Sequence, residues 1–413
     1  MKNKLGILEQ SFAIIALSFF SGSLGLIPGF IVTLIRYSIV IISAFIIYHH
    51  RKDALRKAYS DKLFWLFTGM VFLSFIWSDI YLETLKTNRE VLYMTTFGLY
   101  FATRFSLKEQ VKTIANTFFI GAVASVIVAL ALPNIGIHGA DHPGAWKGVY
   151  DYKNTFGSMM IIGSLAFFCL PLSHPLDRFY KWVGILLSFA MVLLCTSKTS
   201  LVIYFLIILI LAFYSKFRWR GKISVIFLDI GILVTACIGT LVISQWVTLL
   251  TGLGKDPTLT GRTIVWSTTL LKLEDRPLLG FGRSAFWSLQ LSNGHEVGSA
   301  VSPGFVVPHA HNGFLDVALD VGFVGALLFL IVYFRAFFRA LKLAYAAKKT
   351  EEIWPLAFLI FLAMNNTTES YMLRLANVYW VLFISVVLSL NKDIFFNRRK
   401  ELTSKDCFVK NLG

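Results

Sequence analysis

Acidic residues are scarce in this chain, and charge of either sign is thin. Asp and Glu number 23 in 413 residues, charged residues together make up 15%, and 56% of the chain is hydrophobic, with a mean hydropathy of +0.68. So little charge excludes a soluble domain of this length, whose surface would have to face water. Cysteine is rare as well: Cys169, Cys195, Cys237 and Cys407 form no closely spaced pair, which speaks against both a disulfide scaffold and a zinc site. HExxH and Walker patterns are missing, and no paired acids suggest a glycosidase. No internal repeat is evident, which counts against a repeat-built transporter. There is no low-complexity tail and no separate soluble catalytic domain. The first hydrophobic segment lacks a small-residue cleavage site and reads as a retained span.

What the chain has instead is a succession of apolar stretches near the roughly 20 residues that cross a bilayer. They predict about twelve spans, at 11–30, 31–49, 63–78, 88–103, 113–132, 154–172, 182–196, 200–214, 223–246, 313–334, 354–367 and 374–390. The fold class expected is therefore an all-α integral membrane protein, one polytopic domain over residues 1–413. With the N-terminus in the cytoplasm, about two thirds of the 39 basic residues fall in inside segments, as the positive-inside rule requires. Both termini are then cytoplasmic. Basic loops facing anionic lipid account for the net charge of +16 more simply than nucleic acid does.

Two external connections stand out. One runs from about Pro133 to Tyr152. The other, the large loop at about 247–310 between spans 9 and 10, contains RTIVWSTTLLKLEDRP, whose near-helical apolar spacing predicts a short amphipathic helix ending at Pro277. Ionisable groups near the outer ends of spans are costly and so mark functional candidates. Here they are Lys153, Lys198, Arg262, Arg276, Arg283, His309, His311, Glu369 and Arg374, with Arg36 inside the second span. A cationic cluster with one or two histidines suits a diphosphate and a proton transfer: guanidinium forks match phosphate oxygens, and imidazole titrates near neutrality. Each residue also has a plainer reading. The cations can anchor to lipid headgroups, His309 can be an ordinary loop residue, and Gly322 and Gly325 fit close helix packing better than catalysis.

His311-Asn312, nine residues, then Gly322-Phe323-Val324-Gly325 resembles the signature of the O-antigen ligase and polymerase family of bacterial membrane glycosyltransferases. Thr260-Gly261-Arg262 with Trp266, and Arg276-Pro277-Leu278-Leu279-Gly280-Phe281-Gly282, resemble the segment that precedes this histidine. Lys153-Asn154 opening a span and Ser197-Lys198-Thr199-Ser200 closing another fit the same pattern. The resemblance runs from about Lys153 to Glu369 and is nearest to the exopolysaccharide-polymerase branch. It implies a polyprenyl-diphosphate glycan as donor, transfer to a hydroxyl, and no cofactor or metal. Carried onto this chain, His311 is the general base and Arg262 binds the donor diphosphate. Lys198 stands where many members carry a second arginine, and lysine keeps the charge but loses the fork. Lys153, Asn154, Arg283, His309, Asn312 and Glu369 are further candidates for substrate contact.

The expectation is thus an inverting glycosyltransferase of the inner membrane with its site on the external face, polymerising lipid-linked repeat units of a surface polysaccharide. The alternative is a ligase moving finished glycan onto lipid A-core or another acceptor. A lipid-linked-sugar transporter is a third reading, disfavoured because the candidates gather at one face. Expected partners are the lipid-linked oligosaccharide, membrane lipids and polysaccharide-assembly proteins such as a chain-length regulator, not nucleic acid.

Overall fold

The computed structural model describes residues 2–216, 261–374 and 377–390. The expected span at 223–246 with Cys237, the loop up to Thr260, and the tail with Cys407 lie outside the described residues.

Apolar runs bounded by capping residues set the helices. The first, α1 (Lys2–Ser21), lies earlier than the expected 11–30, because the chain turns through residues 22–27. Pro28, which has no N–H to donate, then opens α2 (Gly29–His49). A short charged helix α3 (Arg51–Ala58) follows. Asp61 caps α4 (Lys62–Leu73) by accepting the Phe64 N–H at 3.3 Å, and a 3₁₀ turn (Ser74–Trp77) extends it. Next come α5 (Tyr81–Arg104), α6 (Leu107–Ala131), entered through a Ser106/Glu109 capping box, and a single turn α7 (Pro133–Gly136). Beyond the 137–152 connection lie α8 (Lys153–Phe168), α9 (Pro175–Leu194) and α10 (Lys198–Lys216). The loop helices are α11 (Arg262–Leu273), which is the amphipathic helix expected there, and α12 (Asn293–Ser299). The last three are α13 (Gly313–Tyr345), α14 (Trp354–Asn366) and α15 (Val378–Ser389). Among the described residues there is no β-strand, only an isolated bridge between Ile137 and Trp146.

Each expected apolar span within the described residues coincides in large part with a helix. By length and composition alone, α2, α6 and α13 are each able to cross a bilayer. The centre of the bundle is α15, every residue of which is buried, against α5, with α8 held between α6 and α9 and α14 packed on α8 and α10. A helix apolar on all sides is stable only when it is surrounded, as α8, α14 and α15 are. Outward, α2, α9 and α13 expose large apolar side chains such as Phe30, Phe45, Phe179, Trp182, Leu327 and Phe338. In water such a belt would drive association; against lipid it is the favourable surface. Two buried acids of the bundle, Glu90 and Asp61, are paired with arginines. Arg36 of α2 lies 3.5 Å from Glu90 of α5, and Asp61 receives Arg339 at 2.9 Å and Arg335 at 3.7 Å.

One helix, α13, is broken part-way along. At Gly322, α13 takes φ 69° and ψ −175°, a conformation open in practice to glycine only. The break frees backbone groups that a low-dielectric surrounding cannot satisfy. The Arg276–Gly282 segment satisfies them: Phe281 and Gly282 donate their N–H groups to the carbonyls of Leu319 (2.7 Å) and Asp320 (3.1 Å), while Phe323 and Val324 donate to those of Pro277 and Leu278. A Cβ on Gly322 would sit 2.1 Å from the Leu278 oxygen, and one on Gly280 would sit 2.4 Å from the Leu319 oxygen. The two glycine motifs are therefore the two sides of one splice between loop and helix.

Candidate active site

The α8, α10 and α11 starts, the segment leading into α13 and the turn after α14 surround a cavity of about 680 Å³. Lys153, Asn154, Lys198, Arg262, His309, His311, Glu369 and Arg374 all line it, together with residues that sequence reasoning did not place there, among them His142, Tyr152 and Tyr371. Residues far apart in the chain meet because helix starts converge. Lys153, Lys198 and Arg262 are each the first residue of a helix, and none of those helices has an acidic residue in its first turn. The stretch Ser197–Ser200 begins α10 rather than closing the preceding span, and Ser197 Oγ accepts the Ser200 N–H at 3.4 Å. A cation at a helix N-terminus opposes the helix dipole. Three such ends facing one cavity make an electropositive pocket whose cationic side chains suit a polyanion.

Glu369, only 5% exposed, is the acid at the centre of these cations. Its Oε1 accepts from Asn154 Nδ2 at 2.9 Å and from Arg262 Nη2 at 3.2 Å, and its Oε2 lies 3.7 Å from His311 Nδ1. Arg262 Nη1 donates to the Thr368 carbonyl at 2.6 Å. A guanidinium has five N–H donors, so these two bonds orient the Arg262 fork and leave donors for a ligand.

His311 is held in a left-handed backbone conformation, φ 52°, which costs a non-glycine residue roughly 1–3 kcal/mol. Its neighbours hold it there. The His311 N–H donates to His309 Nδ1 at 3.2 Å, the Asn312 N–H to Ser370 Oγ at 3.1 Å, and the Gly313 N–H to the Glu369 carbonyl at 3.0 Å. Trp266, one helical turn after Arg262, donates its indole N–H to the Ala310 carbonyl at 2.8 Å. The Arg262 and Trp266 pairing thus fixes the guanidinium and the histidine loop together. The two imidazoles stand 4.1 Å apart, and burial, then the nearby charges of Arg374, His311 and Arg262, push His309 down to about 2. His309 is therefore neutral, and because its Nδ1 accepts the His311 N–H, the ring proton sits on Nε2.

Other candidates lie elsewhere. Asn312 does not line the cavity; it caps α13, its Oδ1 accepting the N–H groups of Phe314 (3.1 Å) and Leu315 (3.2 Å). Arg283 is fully buried outside the cavity, donating to the carbonyls of Thr87 (2.6 Å) and Leu373 (2.6 and 3.0 Å), so it ties the loop to α5 and to the turn after α14. Arg276 serves similarly, bonded to the Trp77 carbonyl and to Asp79. Among the described residues no group of three or more His, Cys, Asp or Glu side chains is placed to hold a metal ion.

Residues 183–330, which include Arg262, His311 and the Gly322 break, match the family model described as O-antigen ligase. The chain is also 25% identical over 298 residues to the exopolysaccharide production protein ExoQ of Rhizobium meliloti (strain 1021), a stretch covering 67% of this chain. That stretch spans 65% of the relative, a little under two thirds of its length. Membrane residence agrees with both matches and with the apolar helices. Both matches support an O-antigen ligase/polymerase-family protein.

Proposed function

We propose that this protein is a membrane glycosyltransferase that takes a polyprenyl-diphosphate-linked glycan as donor and polymerises oligosaccharide repeat units of a surface polysaccharide. The observation that carries the reading is the convergence of three cation-bearing helix starts on the cavity that also holds His311. A diphosphate is the ligand chemistry that such a pocket favours.

In the reaction, His311 removes the proton from an acceptor hydroxyl, and that oxygen attacks the anomeric carbon of the donor sugar. The bond from that carbon to the diphosphate oxygen breaks, and the leaving polyprenyl diphosphate is stabilised by Arg262, Lys198 and Lys153 in the role a metal ion plays in other transferases. Direct displacement inverts the anomeric configuration. Glu369 faces His311 Nδ1 and holds the ring for proton uptake at its other nitrogen, as an orienting carboxylate does in a triad. The site opens on the outer, periplasmic face of the inner membrane in this reading, with both termini cytoplasmic.

A ligase reading, with transfer to lipid A-core or another acceptor, is favoured by the description of the family model. Donor chemistry is the same in both. The test is reconstitution of the full chain with polyprenyl-diphosphate repeat units. A product ladder formed without added acceptor makes it a polymerase, transfer only on adding lipid A-core makes it a ligase, and the absence of both products overturns the transferase reading.

A further inference from the structure

A second cavity, of about 330 Å³, lies behind the first and shares with it a wall of Pro308, His309 and Arg374. Its volume is at the lower end of the roughly 300–1,000 Å³ typical of small-molecule sites. Its chemistry differs from that of its neighbour. The first cavity presents Lys153, Lys198, Arg262 and Arg374 against the single acid Glu369. The second presents three carboxyl groups, Glu83, Asp316 and Asp320, against Arg374 alone. A diphosphate has no reason to enter it.

The lining is built rather than incidental. Asp320 is 7% exposed; its Oδ1 accepts the Ser284 N–H at 2.8 Å, and its other oxygen accepts from no described residue. Glu83 accepts from Ser288 Oγ at 3.3 Å. Trp287 presents its ring to the cavity while its indole N–H is held by Asp316 Oδ1 at 2.8 Å, the same oxygen that accepts the Ala310 N–H. Carboxyl oxygens, a hydroxyl and an indole face form a mixed surface that suits a sugar ring, whose rim is hydroxyl-bearing and whose face carries C–H groups. In the shared wall, the neutral His309 offers an Nε2–H as a fixed donor to such a ring.

We propose that this second cavity is the acceptor subsite: it takes the sugar residue whose hydroxyl is glycosylated, with Glu83 and Asp320 accepting from its other hydroxyls. The proposal rests on the transferase reading above and divides the two substrates by charge. The donor's diphosphate occupies the cationic cavity. The acceptor sugar occupies the carboxyl-lined one and presents a hydroxyl past His309 to His311, whose ring is 4.1 Å away.

Two measurements on the reconstituted full chain decide it. The probe is the oligosaccharide released by mild acid from the lipid-linked pool of the cells that make the protein, free of its polyprenyl diphosphate. In steady-state transfer, Glu83→Gln is expected to raise the KM for this acceptor about tenfold and Ser288→Ala to raise it less, with the KM for the lipid-linked donor unchanged, which also shows that the variant is folded. A donor KM that rises while the acceptor KM stays, or two values that do not move, overturns the assignment. Saturation-transfer NMR with the same oligosaccharide reads binding without turnover. Ring-proton saturation in the wild type that is lost in Glu83→Gln upholds the subsite even if transfer is undetectable, the outcome that would sink the transferase reading alone. No saturation in the wild type sinks the subsite and leaves the transferase reading to the product ladder.

Discussion

Glu369 Oε2 lies 3.7 Å from His311 Nδ1, the buried nitrogen of a ring whose side chain is otherwise 32% exposed to the cavity. No hydrogen bond closes that gap, so the carboxylate acts on the imidazole through charge and position, and Nδ1 has no other partner among the described residues. Protonation of His311 during turnover would place a positive charge beside Glu369 and strengthen the contact. His311→Ala is therefore expected to lower the transfer rate by about 100- to 10,000-fold, the usual share of general-base assistance. Donor KM should hold, because the proposed reaction puts the diphosphate contacts on other residues. A variant that keeps more than a tenth of wild-type turnover would remove His311 from the role of base.

Glu369→Gln tests the same centre from the other side. The substitution keeps an acceptor for Asn154 and Arg262 but removes the charge that faces His311. Turnover is expected to fall about tenfold or more while the fold survives, since the ring loses the charge that faces its Nδ1. Turnover within twofold of the wild type would show that the carboxylate serves the fold alone.

At Arg262 the prediction concerns shape rather than charge. Nη1 and Nη2 each hold one protein acceptor, Thr368 O and Glu369 Oε1, which aims the planar fork. Lysine has no such plane. Arg262→Lys is expected to weaken donor binding about tenfold, and near-normal donor KM would end the assignment of a forked diphosphate contact there.

Much of this architecture was legible in the sequence, and the exceptions have physical causes. Long apolar runs announce helices whatever packs on them, so helix positions such as α5 and α6 agree with expectation. The α1 boundaries did not, because its apolar run continues through a turn that only Pro28 betrays. The cations and His311 were visible as costly charges at span ends. The acids Asp316 and Asp320 lie four residues apart within an apolar helix, a signal that was present but was subsumed under the glycine motif that follows. Arg283 could not be placed from sequence at all: it sits in a glycine-flanked loop that resembles a ligand contact, yet its partners Thr87 and Leu373 are 196 and 90 residues away. The role of Gly322 was legible only as close packing; that it is a splice needed the loop on its other side.

That splice yields a stability prediction. A methyl group at Gly322 would meet the Leu278 carbonyl oxygen at 2.1 Å, a backbone atom with no freedom to move aside, in a backbone region that alanine does not adopt. A methyl group at Gly325 would crowd Val321 Cγ2 and Cβ, but on a backbone that alanine does adopt, so its cost is steric alone. Gly322→Ala should therefore lower the thermal midpoint far more than Gly325→Ala, and equal losses would show that the helix tolerates closure of its break.

The last prediction turns on the proton that His309 does not take up. Its folded value, about 2, lies far below the ordinary value of 6.5, because burial and the neighbouring cations disfavour the imidazolium. With the folded value depressed, the unfolded chain binds the extra proton first. The stability that His309 contributes is then complete above about 6.5 and is lost progressively as the pH falls toward 2, by at most about 1.4 kcal/mol per pH unit. The wild type in detergent should consequently lose more of its thermal midpoint between pH 6.5 and pH 4.5 than His309→Gln does, since glutamine has no proton to gain. The sign carries a second consequence for catalysis. A group that stays neutral across this range contributes no ionisation to the pH–rate profile, so the acid limb of wild-type turnover belongs to a different residue, and His309→Gln should leave its position where it was. A limb that shifts on this substitution would mean that His309 exchanges its proton during the reaction, and the neutral Nε2–H donor in the wall between the two cavities would have to be abandoned.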